Sequence, residues 1–277
     1  MIKNTSFYKK SIFDYQNIIP ITLFNEIMSR ANRLNKLNIV HINATPIGGG
    51  VAEILNSLIP LMNDIGIHTA WYTLPPDESF FNVTKKLHNT LQGNENNLTN
   101  EEKEIYKQYS KDVAKKADEI NADIWVIHDP QPMGILYYLK KNVPAIWRCH
   151  IDTTNRNKKV WSFLQTFLKY YQGAIFSLED FIPDDLDNSL IKIFHPAIDP
   201  LSDKNKILGN EYVKNIIKSV GIDTNKPLIS QISRFDPWKN QKGVIDIYRK
   251  VKIDFPGLQL VLIGLIIAKD DPEAYEI

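Results

Sequence analysis

The fold is decided by residues 37–72, which read LNIVHINATPIGGGVAEILNSLIPLMNDIGIHTAWY. The first six residues of this stretch and the run 67–72 are rich in apolar side chains, which is typical of buried strands. A loop is predicted over 44–50. The following helix is predicted to begin at Val51, because apolar residues recur from there at the spacing of one helical face. A strand, a glycine loop, a helix and a strand make a βαβ unit, so the two strands are predicted to be parallel.

The same alternation continues along the chain. A leading helix is predicted over 22–35, and Thr99 with Glu102 forms the capping box of a charged helix that extends to about Ala117. Pro132 is predicted to be the first residue of a further helix. Short apolar runs predict four more strands, at 124–128, 145–149, 174–176 and 191–194, and a helix at 158–170. The pattern predicts an α/β fold with a doubly wound, Rossmann-like parallel sheet.

The composition changes after His195, where polar residues and a polar helix near 210–220 are interpreted as a linker. A second βαβ unit is then predicted, with strands at 228–232 and 258–263 and a helix at 241–253. We therefore predict three parts, which are an N-terminal helical extension (1–36), a Rossmann-like domain (37–205) and a linker with the first βαβ unit of a second, incomplete Rossmann-like domain (206–277).

The bulk composition is that of a soluble globular protein, with 43% hydrophobic and 23% charged residues. A formal net charge of +1 favours neither a nucleic acid nor a membrane as partner. The single cysteine, Cys149, and the lack of a signal peptide favour a cytoplasmic location. The motifs of zinc proteases, serine hydrolases and P-loop ATPases are missing, and no metal ligands are predicted.

The loop Gly48-Gly49-Gly50 is a candidate anion site, because backbone amides at a helix N-terminus can approach a phosphate closely. The alternative, that these glycines only make a sharp turn, carries equal weight. The loop does not match the Gly-x-Gly-x-x-Gly fingerprint of dinucleotide-binding proteins.

Polar side chains follow two of the predicted strands. Asp129 and Gln131 suit hydrogen bonds to sugar hydroxyls, although the prolines beside them are equally consistent with a structural turn. Arg148, His150 and Asp152 cluster after the next strand, where His150 could bind a sugar hydroxyl or a developing charge. The alternative for His150 is a hydrogen bond to a backbone carbonyl.

Arg234 and Lys239 are five residues apart and follow the strand predicted at 228–232. Open α/β sheets bind ligands at the carboxyl ends of their strands, and a guanidinium with an ammonium suits a diphosphate. The alternative is a solvated basic turn, which the neighbouring Pro237 and Trp238 make less attractive.

Four segments in this order resemble the trehalose synthase (glycosyltransferring) family. They are HINATPIGGGVAEIL (41–55), HDPQP (128–132), WRCHID (147–152) and SRFDPWK (233–239). The similarity extends from about residue 36 to the end of the chain. The resemblance implies a retaining glycosyltransferase of GT-B architecture, with two facing Rossmann-like domains.

The resemblance also implies a reaction, the transfer of glucose from a nucleotide-diphosphate glucose to glucose, which gives trehalose. Arg234 and Lys239 would neutralise the departing diphosphate, and His150 would contact the transferred glucose. The implied catalytic residues are His150, Arg234 and Lys239. The implied substrate-binding residues are Gly48, Gly49, Gly50, Asp129, Gln131, Arg148 and Asp152.

The expected ligands are small sugars and the sugar nucleotide that donates glucose. No tightly bound cofactor is expected, although a divalent cation is possible. A homodimer is also possible. In the family the second domain continues beyond the length of this chain, so we expect an inactive or impaired N-terminal fragment. Two alternatives remain open, a retaining trehalose phosphorylase and a non-catalytic module that binds a sugar or sugar phosphate. A nicotinamide-dependent oxidoreductase is a more distant alternative.

Overall fold

The computed structural model describes residues 3–5, 8–187, 190–235 and 239–264. The chain divides into two compact units, Met1–Ile198 and Asp199–Ile277, which are described separately. The predicted domain boundaries, after residues 36 and 205, stay predictions. Within the described residues, no helix combines the length and the apolar character needed to cross a membrane.

The first unit alternates strands and helices. Its strands are β1 (Lys3–Asn4), β2 (Asn38–Asn43), β3 (His68–Thr73), β4 (Ile124–His128), β5 (Ala145–Arg148), β6 (Gly173–Phe176) and β7 (Ile191–Ile193). Its helices are α1 (Ile21–Leu34), α2 (Gly49–Asp64), α3 (Glu78–Leu91), α4 (Asn100–Ala117), α5 (Ile135–Tyr138) and α6 (Lys158–Leu168). Short 3-10 helices lie at Ile12–Tyr15 and Glu179–Phe181.

The strands form one sheet in the order β1-β3-β2-β4-β5-β6-β7. All neighbouring pairs are parallel except β1 with β3, which is antiparallel. The order reverses at β2, because β3 lies on one side of it and β4 to β7 lie on the other. This arrangement confirms the predicted doubly wound α/β sheet. Its switch point, where the strand order reverses, lies at the carboxyl ends of the neighbouring strands β2 and β4.

Both faces of the sheet are covered, as expected for parallel strands. One face packs against α3, α4 and α6 through a large apolar cluster that includes the fully buried Trp125 and Trp147. The other face packs against α1 and α2, where Leu55 and Ile59 contact Trp71 and Ala31 contacts β2. The carboxyl ends of the central strands are therefore held from both sides.

Two predicted helix starts are wrong. The helix α2 begins at Gly49, two residues before the predicted Val51, because the glycine loop already turns into the helix. Pro132 is not the first residue of a helix. The amide of Gly134 donates to the Tyr106 hydroxyl (3.0 Å) and the amide of Ile135 donates to the Pro132 carbonyl (3.1 Å), so the segment forms tight turns before the one-turn helix α5.

The second unit contains α7 (Asn210–Ser219), β8 (Leu228–Ile232), α8 (Gln241–Asp254) and β9 (Gln259–Ile263). The strands β8 and β9 are parallel, with α8 between them in sequence, which confirms the predicted βαβ unit. Among the described residues of this unit, only Gln241 and Leu258 are buried.

Candidate active site

The candidate site of the first unit lies where β2, β4 and β5 end. These strands are adjacent, with Ile42 opposite Ile127 and His128 opposite Arg148. The loops that follow carry the glycine triplet, Asp129 and His150 respectively. Three of the predicted segments, distant in sequence, therefore meet at one edge of the sheet, at its switch point.

The glycine loop has a backbone that glycine alone adopts readily. Gly48 and Gly49 have φ angles of +83° and +74°, which are strained for residues with a Cβ. Gly48 is the N-cap of α2 and makes no side-chain cap. A Cβ placed on any of the three glycines would meet nothing within 4 Å. Amides at a helix N-terminus suit an anionic ligand, and that role of the glycine loop stays a prediction.

Asp129 joins the ends of β4 and β5. Its φ of +63° is left-handed, a conformation that aspartate tolerates better than most residues. Its amide donates to the Arg148 carbonyl (2.9 Å), and its carboxylate Oδ1 accepts from the amide of His150 (2.7 Å). The indole Nε1 of Trp147 donates to the Asp129 carbonyl (3.1 Å). Asp129 therefore holds the His150 backbone in place, and its predicted contact with a sugar stays a prediction.

Three histidines form a column across this edge, of which sequence reasoning singled out only His150. The Nδ1 of His41 lies 2.9 Å from Nε2 of His128, and the Nδ1 of His128 lies 2.9 Å from Nε2 of His150. The rings meet edge to edge, with centroids 5.2 and 5.3 Å apart and ring planes inclined by 26° and 17°. His41 and His128 are buried and His150 is half-buried. The column therefore links the interior of the sheet to the candidate site.

The column is diagonal to the strands. His41 lies opposite Val126 in β4, two residues before His128, and His128 lies opposite Arg148, two residues before His150. Each step from one strand to the next advances two residues toward the carboxyl end, which keeps all three side chains on one face. The same step carries the column from a buried position in β2 to the rim of the sheet.

Burial keeps these imidazoles neutral. It lowers the pKa of His41 to about 4. Burial also lowers the pKa of His128 well below its usual value, with further contributions from His41, His150 and Arg148. The pKa of His150 is lowered by burial, against an opposing effect of Asp129. At neutral pH each ring carries one N–H and one bare nitrogen.

Arg148 and Cys149 are buried at the end of β5. The Nη2 of Arg148 donates to the Phe194 carbonyl (2.6 Å), so this guanidinium ties β5 to the segment after β7. Its Nη1 is buried without a partner among the described residues. Burial raises the pKa of the Cys149 thiol, which makes it a poor nucleophile. The predicted substrate contact of Arg148 stays a prediction.

Gln131 and Asp152 lie in the loops that follow β4 and β5. The Oε1 of Gln131 is buried and lacks a partner within the described part of the chain. The Oδ1 of Asp152 accepts from the amide of Thr154 (2.9 Å), which is a local turn. Tyr106 fixes the loop that carries Gln131, because its hydroxyl donates to the Pro130 carbonyl (2.6 Å). Contacts of Gln131 and Asp152 with a sugar stay predictions.

Arg234 and Lys239 belong to the second unit and follow β8; residues 236–238 between them lie outside the described residues. The buried Gln241 donates from Nε2 to the Arg234 carbonyl (2.7 Å), and the Nε2 of Gln231 donates to the Lys239 carbonyl (2.6 Å). Gly264 lies against this segment, since a Cβ there would overlap the Ser233 carbonyl oxygen. The backbone on both sides of the predicted phosphate site is thus held by glutamine side chains.

The candidate residues fall into two groups, one in each unit, and each group lies at the carboxyl ends of parallel strands. Within the described residues, no three histidine, cysteine, aspartate or glutamate side chains are grouped so that they could hold a metal ion.

Comparison with known proteins identifies the relatives of this chain. A family model described as trehalose synthase, N-terminal domain, matches residues 41–183. The trehalose synthase of Pyrococcus horikoshii is 43% identical over 275 residues, which are 99% of this chain and 66% of that protein. A trehalose phosphorylase of Grifola frondosa is 27% identical over 308 residues, covering 95% of this chain and 42% of that protein. This chain thus spans about two thirds of the length of such a synthase.

The fold comparison agrees. A solved structure of a trehalose-6-phosphate synthase matches with a TM-score of 0.63 and 14% identity, covering 86% of this chain and 66% of that chain. At this identity the match shows the fold alone, which is that of the GT-B glycosyltransferases. Together with the family match over the strands and loops that build the candidate site, these findings show that the chain belongs to the trehalose synthase family of glycosyltransferases.

Proposed function

We propose that this protein is a retaining glucosyltransferase that moves glucose from a nucleotide-diphosphate glucose to glucose and so forms trehalose. The proposal is supported above all by the loops after β2, β4 and β5, which bring the N-terminus of α2, Asp129 and His150 to the switch point of one sheet. Trehalose synthase relatives at 43% identity support the same reaction class.

The proposed chemistry is stabilisation of charge. As the bond from glucose to the diphosphate breaks, C1 becomes cationic and the leaving oxygen gains negative charge. Arg234 and Lys239 would neutralise the diphosphate, and the amides of the Gly48–Gly50 loop would suit an anionic group. His150 would donate to an oxygen of the transferred glucose. Removing one such contact typically raises the barrier by about 3–4 kcal/mol, which is a rate loss of roughly 100- to 1000-fold.

The test is an assay with isotope-labelled glucose and ADP-, UDP- or GDP-glucose in turn, with the product identified by NMR. We expect α,α-trehalose, because retention preserves the donor's configuration. His150→Ala should reduce its formation roughly 100- to 1000-fold, whereas the same change at the exposed His68 should leave it unchanged. A β-linked product would rule out retention, and cleavage of the donor without any transfer of glucose to the acceptor would contradict the proposal.

The 277-residue chain alone is expected to turn over slowly or not at all, because it spans 66% of the length of the synthase relative. A rate similar to that of the relatives would contradict this expectation. The assay must therefore detect rare turnovers, and the metal requirement is tested by adding a chelator.

The diphosphate role of the second unit is tested by calorimetry with UDP and ADP. Arg234→Ala and Lys239→Ala should each weaken binding, and Lys242→Ala, an exposed lysine in α8, is the matched control. Equal affinity in all three variants would contradict the assignment of Arg234 and Lys239.

A trehalose phosphorylase is the second candidate, favoured by the 27% identical relative. A phosphorylase would split trehalose only when inorganic phosphate is present. Phosphate-dependent cleavage of trehalose that needs no nucleotide would show that the protein is a phosphorylase. Binding of glucose or trehalose without either reaction would instead support a non-catalytic binding module.

A further inference from the structure

The histidine column limits how protons can be arranged at the site. Each of its two contacts joins two imidazole nitrogens at 2.9 Å, so one nitrogen of each pair must carry the proton and the other must be bare. Since all three rings are neutral at pH 7, each has a single proton to place. Choosing the tautomer of one ring therefore fixes the other two.

Only two arrangements satisfy both contacts. In the first, His41 and His128 donate from Nδ1, so Nε2 of His150 accepts and the proton of His150 lies on Nδ1. In the second, His150 and His128 donate from Nε2, so Nδ1 of His150 is bare and the proton of His41 lies on Nε2. The two arrangements present opposite groups to a ligand at His150, a donor in the first and an acceptor in the second.

The buried end of the column distinguishes them. Nε2 of His41 is buried and has no hydrogen-bond partner among the described residues. The second arrangement would leave an N–H there without an acceptor, which is rarer in proteins than an unused acceptor. The first leaves only a lone pair at that position.

Charges at the outer end affect whether the two outer rings take up a second proton. The Asp129 carboxylate accepts from the His150 amide at 2.7 Å, and its negative charge raises the pKa of His150 against the larger effect of burial. The charged or titratable groups that act on the two outer rings are His41, Asp129 and Arg148. Burial lowers the pKa of both rings, and the positive Arg148 lowers it further, so His150 is neutral at pH 7.

We infer that His41 and His128 are positioning residues that hold the proton of His150 on Nδ1, so that His150 presents an N–H donor to an oxygen atom of the ligand. A ring held in this way cannot act as a general base, because its bare nitrogen faces His128. That the ligand is a sugar rests on the proposed function. The tautomer itself does not.

The test is a long-range ¹⁵N–¹H spectrum of the chain labelled with ¹⁵N-histidine, which distinguishes the two neutral tautomers of each ring. The chain has six histidines, and His150→Gln assigns the signal of interest. We expect the Nδ1–H form of His150 at pH 7. The Nε2–H form of His150 in the wild-type chain would overturn the inference.

His128→Phe keeps a ring in the column but removes both hydrogen bonds. We expect loss of the Nδ1–H signal of His150 in favour of the Nε2–H form, while His68→Phe, at an exposed histidine, leaves His150 unchanged. An unchanged His150 signal in folded His128→Phe would show that His128 does not position it.

Titration of the labelled wild-type chain with trehalose separates this inference from the proposed function. A shift of the His150 Nδ1–H resonance on binding supports the donor role. Binding seen by calorimetry without that shift overturns the donor role. If His150 has the Nδ1–H form but the chain neither binds nor transfers sugars, the inference about the tautomer is supported. Only the proposed function is then contradicted.

Discussion

The first and second units use the same βαβ element in very different surroundings. In the first unit the strands are covered on both faces, and Ile42 at the end of β2 is fully buried. In the second unit Ile232, at the end of β8, is 77% exposed. Among the described residues of that unit, the only buried polar side chain is that of Gln241.

This difference explains what each unit can contribute to chemistry. Burial is what lowers the histidine pKa values and leaves each ring of the column with a single proton at neutral pH. Lys239, by contrast, is exposed to water, where a charge interacts weakly with its surroundings. The first unit can therefore hold neutral groups in fixed orientations, whereas the second offers positive charge.

The largest expected effect tests the difference in packing. Ile42→Ala should lower the free energy of unfolding by about 2–5 kcal/mol, because it leaves a cavity in a covered sheet. The same change at the exposed Ile232 should cost less than about 0.5 kcal/mol. Urea unfolding monitored by tryptophan fluorescence and by hydrogen exchange in β2 and β8 measures both. Equal losses would show that the two strand ends are packed alike.

The next effect is a dependence on pH confined to the first unit. Because the pKa of His41 falls from 6.5 to about 4 on folding, the unfolded chain binds more protons there between these pH values. Stability should therefore fall as the pH is lowered from 6.5 to 4, by about 3 kcal/mol for this residue.

The measurement is the free energy of unfolding of β2 and β4 at pH 7 and pH 5. His41→Gln should flatten the dependence, whereas His68→Gln, at an exposed position, should not. A wild-type stability that rises on acidification would be inconsistent with a neutral, buried His41.

The smallest effect concerns the segment that carries Arg234. Gly264→Ala places a methyl group against the Ser233 carbonyl and 3.0 Å from the ring of Phe235, which should cost about 1–3 kcal/mol. Gly257→Ala is the matched control, because its nearest neighbour is 3.9 Å away on the Lys226 side chain. Faster hydrogen exchange at 233–235 in Gly264→Ala alone is expected. An identical exchange pattern in both variants would show that this segment does not depend on Gly264.

Local patterns predicted several elements well. The strands β4 and β8 and the helix α4 have the bounds predicted from their apolar runs and from the capping box of Thr99 and Glu102. In each case the signal lies within the element itself. The order of predicted strands likewise indicated the doubly wound sheet.

The helix α3 was not predicted, because its buried residues do not form a single stripe. Even Lys85 and Thr84 are buried in it, beside Phe80 and Phe81. The one available signal is Asp77, whose side chain accepts from the amide of Phe80 (2.8 Å) as an N-cap.

The histidine column could not be predicted, since it depends on which strands are neighbours and in what register. His41 and His128 are 87 residues apart, and each alone is only a polar residue in or at the end of an apolar run. Their relation to His150 appears only when β2, β4 and β5 are aligned side by side.

The two-residue advance of the column from strand to strand has a consequence for assembly of the sheet. If β4 slipped by one residue, His128 would point through the opposite face, and both of its neighbours would lose their contact. The three imidazoles can thus be within hydrogen-bonding distance of one another only when β2, β4 and β5 pair in the native register. The ¹⁵N–¹H signals of the three histidines therefore show whether the sheet has reached that register.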